Sequence, residues 1–146
     1  MTAVSRGLAS NIRIISVVGV AHMMSHVYQL SLPPLFPVLK EELGTSYTEL
    51  GLLLAVFSLA SSLCQVPIGF FVDRIGGRGV LVGGLLLQGV AMGLVGFAGT
   101  YPLLFALFLI AGLAHSVYHP ADYAILSRQV ARGSLGRAFT LHSFAG

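Results

Sequence analysis

Long apolar runs, separated by short charged stretches, leave this chain very few possible folds. Four runs cover residues 14–39, 50–72, 80–98 and 102–126, and a fifth begins over 136–146, where the chain ends. About 20 apolar residues in a helix cross the roughly 30 Å hydrocarbon core of a bilayer. Charged residues make up only 9% of the chain, against about 25% in soluble domains. The sequence therefore predicts an all-α integral membrane protein with four complete transmembrane helices and the start of a fifth.

The loops between these runs predict the topology. Because they are short, neighbouring helices should run antiparallel, so that alternate loops fall on the same side of the membrane. Cytoplasmic loops carry an excess of lysine and arginine, and the opposite side has only Lys40. We therefore expect a cytoplasmic N-terminus, on the side of the other seven basic residues: Arg6, Arg13, Arg74, Arg78, Arg128, Arg132 and Arg137.

Polar side chains within the apolar runs suggest a functional site. Two sets have the spacing i, i+4, i+7, which places each set on one helical face: His22, His26 and Gln29 in the first run, and His115, His119 and Asp122 in the fourth. Titratable groups at membrane depth are costly and commonly mark a transport pathway. Histidine, with a pKa of about 6.5, can load and release protons. We expect these residues to line a cavity for proton coupling or substrate contact; alternatively, each histidine makes an interhelical hydrogen bond only.

Proline and glycine within the runs predict local packing. Pro120 cannot donate a backbone hydrogen bond, which frees a carbonyl near Ser116 and should bend the fourth helix. Gly89 and Gly93 form a small-xxx-small pair of the kind that lets another backbone approach closely. Both features indicate helices that pack against protein.

The stretch from Gly69 to Arg78 stands at the inner end of the second run. Gly69 permits tight packing, Asp73 can accept from the N-terminus of a neighbouring helix, and Gly76 with Gly77 makes a turn. Arg74 and Arg78 can anchor the loop at an anionic lipid surface. The simplest alternative is a positively charged turn between two spans.

This loop resembles the G-x-x-x-D-R-x-G-R-[RK] motif of the major facilitator superfamily. Four residues match the motif: Gly69, Asp73, Arg74 and Gly76. Gly77 stands where the family has its first basic residue, and Arg78 follows it. The resemblance implies an N-terminal part of a helical bundle in a secondary transporter, whose C-terminal half is missing here. It also implies that Asp73 pairs with a helix of that half and stabilises one closed state.

A narrower resemblance, to the fosmidomycin-resistance-type branch, extends along most of the chain. It implies proton-coupled export of a small molecule by a twelve-span protein of the bacterial inner membrane, with the substrate, protons and the lipid bilayer as partners and no cofactor. The resemblance lies in Ala21 to Gln29, Leu32-Pro33, Phe36-Pro37, Ser61-Ser62, Gln65 to Pro67 and Ser116 to Ala121.

Two other functions are compatible with the pattern. The two His-x-x-x-His pairs could bind haem or a metal in a four-helix membrane protein, or the chain could be a small scaffold subunit. The sequence has no P-loop, G-x-S-x-G, H-E-x-x-H or dinucleotide-binding motif, so we predict a protein that is not an enzyme and is driven by an ion gradient. Its basic residues are too few and too close to the spans to indicate nucleic-acid binding.

Overall fold

A computed structural model describes the backbone of residues 3–146 and the side chains of residues 9–146, so the side chain of Arg6 lies outside the described residues. Short 3-10 turns, Pro33–Leu35 and Arg132–Ser134, precede the second and the last helix. The described chain contains helices and no strand, which confirms the all-α class. The helices are α1 (Ala3–Leu30), α2 (Phe36–Leu43), α3 (Tyr47–Ile75), α4 (Gly77–Val95), α5 (Tyr101–His115), α6 (Tyr118–Gln129) and α7 (Leu135–Phe144).

Three helical stretches of the described chain are long and apolar enough to cross a membrane, judged by length and composition: Tyr47–Ile75, Gly77–Val95 and Tyr101–Gln129. The first helix, whose side chains are described only from residue 9 onward, is not among the stretches found within the described residues. It nevertheless exposes large apolar side chains such as Val17, and its membrane crossing stays a prediction.

The helix of the first apolar run has bounds different from those of the run itself, and the bounds of the membrane span stay a prediction. The helix α1 begins at Ala3, well before residue 14, and ends at Leu30 instead of continuing to residue 39. Prolines cause the early end, because Pro33 and Pro34 have no backbone N–H to donate to the preceding turn. The chain passes through the 3-10 turn and resumes as α2, which ends at Gly44 in a left-handed conformation, with φ 63°.

The fourth run is interrupted between α5 and α6. The Ser116 amide donates to the carbonyl of Gly112 at 3.2 Å, and the Ser116 hydroxyl donates to that of Leu113 at 2.6 Å. Ser116 and Val117, one turn before Pro120, keep right-handed helical dihedrals but fall outside the two helices. The bend predicted from Pro120 stays a prediction.

Glycine allows the closest helix contacts, at positions other than the predicted ones. A Cβ added to Gly112 on α5 would lie 2.8 Å from the Cα of Phe57 on α3. One added to Gly84 on α4 would lie 3.0 Å from the Ala114 carbonyl oxygen. Both distances are shorter than a carbon atom tolerates, so the backbones meet because there is no side chain.

The close backbone approach predicted at Gly89 and Gly93 is not found within the described residues. A Cβ on Gly89 would meet only the Tyr28 hydroxyl, at 3.2 Å, and one on Gly93 would have no neighbour within 4 Å. Both glycines line an open groove of about 570 Å³ between α4 and the α1–α2 segment. The two glycines therefore leave room for a groove here and do not bring two helix backbones into contact.

The buried apolar residues form two clusters at different heights in the bundle. We name them the arginine-end cluster and the opposite cluster, after the loops described below. The first includes Val18, Val72, Val80, Leu126 and Val130. The second includes Leu32, Leu50, Phe57, Val95 and Leu104. On α1, His22 falls between members of the two clusters, and on α4 Gln88 does the same. On α6, His119 and Asp122 lie among members of the arginine-end cluster. We call this set of buried and half-buried polar side chains the polar layer.

Hydrogen bonds connect the arginine-rich segments at one end of the bundle. Arg128 donates to Asp73 Oδ1 at 2.9 Å, which links α6 to the end of α3. The Ala131 amide donates to Asn11 Oδ1 at 3.4 Å, which links the α6–α7 loop to α1. These contacts place the start of α1, the α3–α4 turn and the α6–α7 loop at the same end, as the up-down topology requires.

Candidate functional site

Three helices bring four titratable side chains together in the polar layer. Asp122 Oδ2 on α6 lies 3.5 Å from His22 Nδ1 on α1 and 3.9 Å from His142 Nδ1 on α7. The His22 and His142 rings are 4.0 Å apart between centroids, and the His22 and His119 rings are 5.2 Å apart. We call His22, His119, Asp122 and His142 the imidazole–carboxylate cluster.

The cluster is buried and short of hydrogen bonds. Asp122 is 0% exposed, His142 1% and His22 4%, while His119 is half-buried. Within the described part of the chain, both Asp122 oxygens and both His142 nitrogens lack a hydrogen-bond partner, as do the Nδ1 atoms of His22 and His119. An unsatisfied buried polar group costs about 1–3 kcal/mol, so an arrangement with this many is expected to hold a ligand, a proton or water.

Asp122 requires a counter-charge. Among the described side chains, its ion-pair partners are His22 and His142. Removing a carboxylate from water costs several kcal/mol unless the charge is neutralised or paired. Neutralisation at Asp122 must therefore come from a proton on the carboxyl group, a protonated imidazole or a bound cation.

Two further histidines extend the polar layer towards α4. The His26 ring is 4.8 Å from that of His22 and 6.4 Å from that of His115. Gln88 Nε2 lies 3.3 Å from His115 Nδ1. Because an amide nitrogen only donates, His115 accepts at Nδ1 and carries its own proton on Nε2. This pair binds α4 to α5 within the layer.

The structure thus brings together most of the predicted site residues. His22, His26, His115, His119 and Asp122 share the layer, and their role in transport stays a prediction. Gln29 does not join them: it is half-buried near the end of α1, and no hydrogen bond of its side chain is found within the described part of the chain.

Sequence reasoning missed His142 and Gln88. A lone histidine in the short last segment has no partner at helical spacing, so nothing in its own neighbourhood marks it. Gln88 is a single neutral side chain in a glycine-rich run. Both residues are polar side chains within an apolar stretch, and this was the one sequence signal that could have identified them.

The motif loop has a definite geometry. The helix α3 continues through Asp73 and Arg74 to Ile75, and Gly76, with φ +91°, ends α3 and begins α4. Asp73 accepts from Arg128 in the last turn of α6, and its side chain is 71% exposed. The prediction that Asp73 accepts a hydrogen bond from a helix N-terminus is not met in the described chain. Its partner there is Arg128, at the C-terminal end of α6.

The glycine that departs from the family motif has a steric reason. A Cβ on Gly77 would lie 2.9 Å from the Ala121 carbonyl oxygen and 3.0 Å from Ile125. The first turn of α4 therefore packs on the α6 backbone, where no larger residue fits. A Cβ on Gly69, by contrast, would meet nothing within 4 Å, so the tight packing expected there is not found in the described chain. Arg74 and Arg78 are exposed.

Comparison with known proteins gives consistent matches. The chain is 23% identical over 133 residues to the Fosmidomycin resistance protein of Escherichia coli (strain K12), covering 91% of the chain and 32% of that protein. It is 27% identical over 134 residues to the "Probable sulfoacetate transporter SauU" of Cupriavidus necator, covering 90% and 31%. It is 24% identical over 107 residues to the "Uncharacterized MFS-type transporter YfnC" of Bacillus subtilis (strain 168), covering 73% and 26%. No solved structure gives a significant match.

The chain spans about a third or less of the length of these relatives. Their family is one of membrane transporters, which agrees with apolar helices that expose large side chains such as Leu63 and Phe70. The sequence model of that family matches residues 17–146, nearly the whole chain. The chain therefore belongs to the Major Facilitator Superfamily.

Proposed function

We propose that the protein containing this chain is a secondary transporter that exports a small molecule in exchange for protons. One observation carries the proposal: a fully buried carboxylate, Asp122, lies among three imidazoles inside a helical bundle. Charged groups in such a place are costly and are kept for function. A small-molecule transporter also agrees with the family of the chain.

The geometry supports a proton-loading role for Asp122. A proton on the carboxyl group removes the buried charge, and a proton on His22 pairs with it at 3.5 Å. A neutral carboxyl group and a charged carboxylate–imidazolium pair differ in how strongly they attract water to the cluster. Protonation can therefore favour one conformation of the bundle over another, which couples the conformation to a proton gradient. His119 is half-buried, so it offers a proton a route between the cluster and the outside of the described bundle.

The interruption at Ser116 and Val117 belongs to the same proposal. Transporters of this type bind their substrates near the bilayer midplane, often where a helix is interrupted. The break between α5 and α6 lies one turn before His119 on α6. Backbone carbonyls released there can contact a substrate or water, as an unbroken helix could not.

The orientation and the missing half complete the proposal. The arginine-rich end would face the cytoplasm of a bacterial cell, as the positive-inside rule requires. The exposed Asp73–Arg128 pair would lie at that surface, where a helix from the other half could compete for Asp73. Because the chain spans about a third of its relatives, transport is assigned to the full-length protein and not to this chain alone.

The test is proton-driven flux through the full-length protein in proteoliposomes. The names of the relatives mention fosmidomycin and sulfoacetate, so these compounds are the first substrates to assay. We expect Asp122→Asn and His119→Ala to abolish flux driven by a pH gradient. Glu41→Gln, the same type of change at an exposed carboxylate, should leave it intact. Proton-driven flux that is unchanged in Asp122→Asn refutes the proposal.

The haem alternative fits the geometry less well. Two axial imidazoles hold a porphyrin in a flat slot between them, whereas the rings of His22 and His119 pack 5.2 Å apart and His142 fills the space beside them. A purified protein without a strong visible absorption band would remove this alternative. The scaffold alternative predicts no flux with any substrate, even from the full-length protein.

A further inference from the structure

The imidazole–carboxylate cluster contains more ligand atoms than a proton relay uses. One nitrogen from each of His22, His119 and His142 lies within 4.8 Å of the others. Asp122 is not a member of this group of three, but its Oδ2 lies 3.5 Å from His22 Nδ1 and 3.9 Å from His142 Nδ1 and so offers a fourth donor. Three imidazole nitrogens and one carboxylate oxygen make up a donor set typical of four-coordinate Zn²⁺.

We propose that the imidazole–carboxylate cluster is a binding site for a single Zn²⁺-class cation, held by His22, His119, His142 and Asp122. The inference concerns equilibrium binding at the proposed protonation site, and it does not require the transport function to be correct. A bound cation supplies the positive charge that Asp122 lacks. It also satisfies nitrogen and oxygen atoms that are buried without hydrogen-bond partners in all four residues.

The distances allow coordination after small side-chain movements. Bonds of about 2.0–2.1 Å in a tetrahedral site place neighbouring donors about 3.4 Å apart. The 3.5 Å between Asp122 Oδ2 and His22 Nδ1 already has this value, and the 3.9 Å to His142 Nδ1 is close to it. The histidine nitrogens, up to 4.8 Å apart, need to approach by roughly 1.4 Å at most, which rotations of the imidazole rings can provide.

The origin of the ligands supports an ion that stabilises one conformation. His119 and Asp122 are on successive turns of α6, whereas His22 is on α1 and His142 is on α7. One ion would therefore cross-link α1, α6 and α7 through its ligands. Because the ligands must be free of protons to bind, the cation competes with protons, and occupancy is expected to inhibit proton-driven flux.

The test is titration of the purified, lipid-reconstituted full-length protein with Co²⁺, after treatment with a chelator. Cobalt replaces zinc and has visible absorption bands that are intense in four-coordinate sites. We expect saturable bands with one Co²⁺ per chain, displaced by Zn²⁺ and weakened as the pH is lowered. We expect His142→Gln and Asp122→Asn to weaken Co²⁺ binding at least tenfold, since loss of even an outer-shell partner costs about 10–100-fold in affinity.

His115→Gln is the matched control for binding. It removes a histidine of the same polar layer whose Nδ1 is already bonded to Gln88, so Co²⁺ affinity should be unchanged. If His142→Gln misfolds, His119→Gln gives the same test at a half-buried position.

Two outcomes would overturn the inference: no saturable Co²⁺ bands in the folded protein, or an unchanged Co²⁺ affinity in both the His142→Gln and the His119→Gln variant. The transport proposal can fail separately, through unchanged flux in Asp122→Asn while cobalt still binds the unmodified protein.

Discussion

Gly112→Ala should destabilise the bundle because the α3 backbone occupies the space beside this residue. The added Cβ would lie 2.8 Å from the Phe57 Cα and 3.0 Å from its carbonyl carbon. Carbon atoms pack at about 3.5–4.0 Å, so α3 and α5 must separate locally by about 1 Å. Backbone atoms cannot rotate away as a side chain can. The neighbouring Phe108, Leu53 and Leu107 are all buried, and their contacts would loosen with the separation.

The expected magnitude follows from two opposing effects. Forcing extra volume into a packed interior costs about 1–3 kcal/mol, and alanine recovers up to about 1 kcal/mol over glycine in a helix. We therefore expect the free energy of unfolding to fall by about 1–2 kcal/mol. Gly93→Ala makes the same chemical change where a Cβ meets nothing within 4 Å, and it should be neutral or slightly stabilising.

The assay is reversible unfolding in mixed micelles of lipid and sodium dodecyl sulfate. Helix content followed by circular dichroism is a suitable signal because the chain contains no tryptophan. A Gly112→Ala variant as stable as the unmodified protein, or a Gly93→Ala variant equally destabilised, would refute the argument from backbone contact.

Two further predictions concern the arginine end. Gly76→Ala should lower the free energy of unfolding by about 1–3 kcal/mol, because φ +91° strains any L side chain. Gly79→Ala, at a position with open space around it, should not lower it. Equal effects of the two changes in the same unfolding assay would contradict this prediction. A double-mutant cycle of Asp73→Asn and Arg128→Gln should give a coupling of at most about 1 kcal/mol, since both side chains are more than half exposed. A much larger coupling would mean that the pair is shielded from water.

Helices and their polar faces could be predicted from the sequence because both depend on neighbouring residues. The apolar runs gave the positions of the long helices, and the i, i+4 spacing placed His22 with His26 and His115 with His119. The interruption between α5 and α6 agrees with the missing N–H of Pro120. Each of these depends on a few consecutive residues, so no knowledge of the partner helix was needed.

Contacts between helices could not be predicted in the same way. The space beside a glycine depends on what the neighbouring helix presents, so Gly112 meets a backbone while Gly93 faces a groove. His142 joins the cluster only because α7 packs against α1, and its own segment gave no sign of this. The early end of α1 was within reach of sequence reasoning, because Pro33 and Pro34 mark it.

The two apolar clusters also lead us to expect two units that open separately. Buried residues of α5, such as Leu104 and Phe108, belong to the opposite cluster, whereas those of α6, such as Ala121 and Leu126, belong to the arginine-end cluster. The helix break therefore coincides with the boundary between the two apolar cores. Segments that share a core tend to open together, so backbone amides at the two ends of the bundle can exchange their hydrogens at different rates, with the break as the border between slow and fast regions.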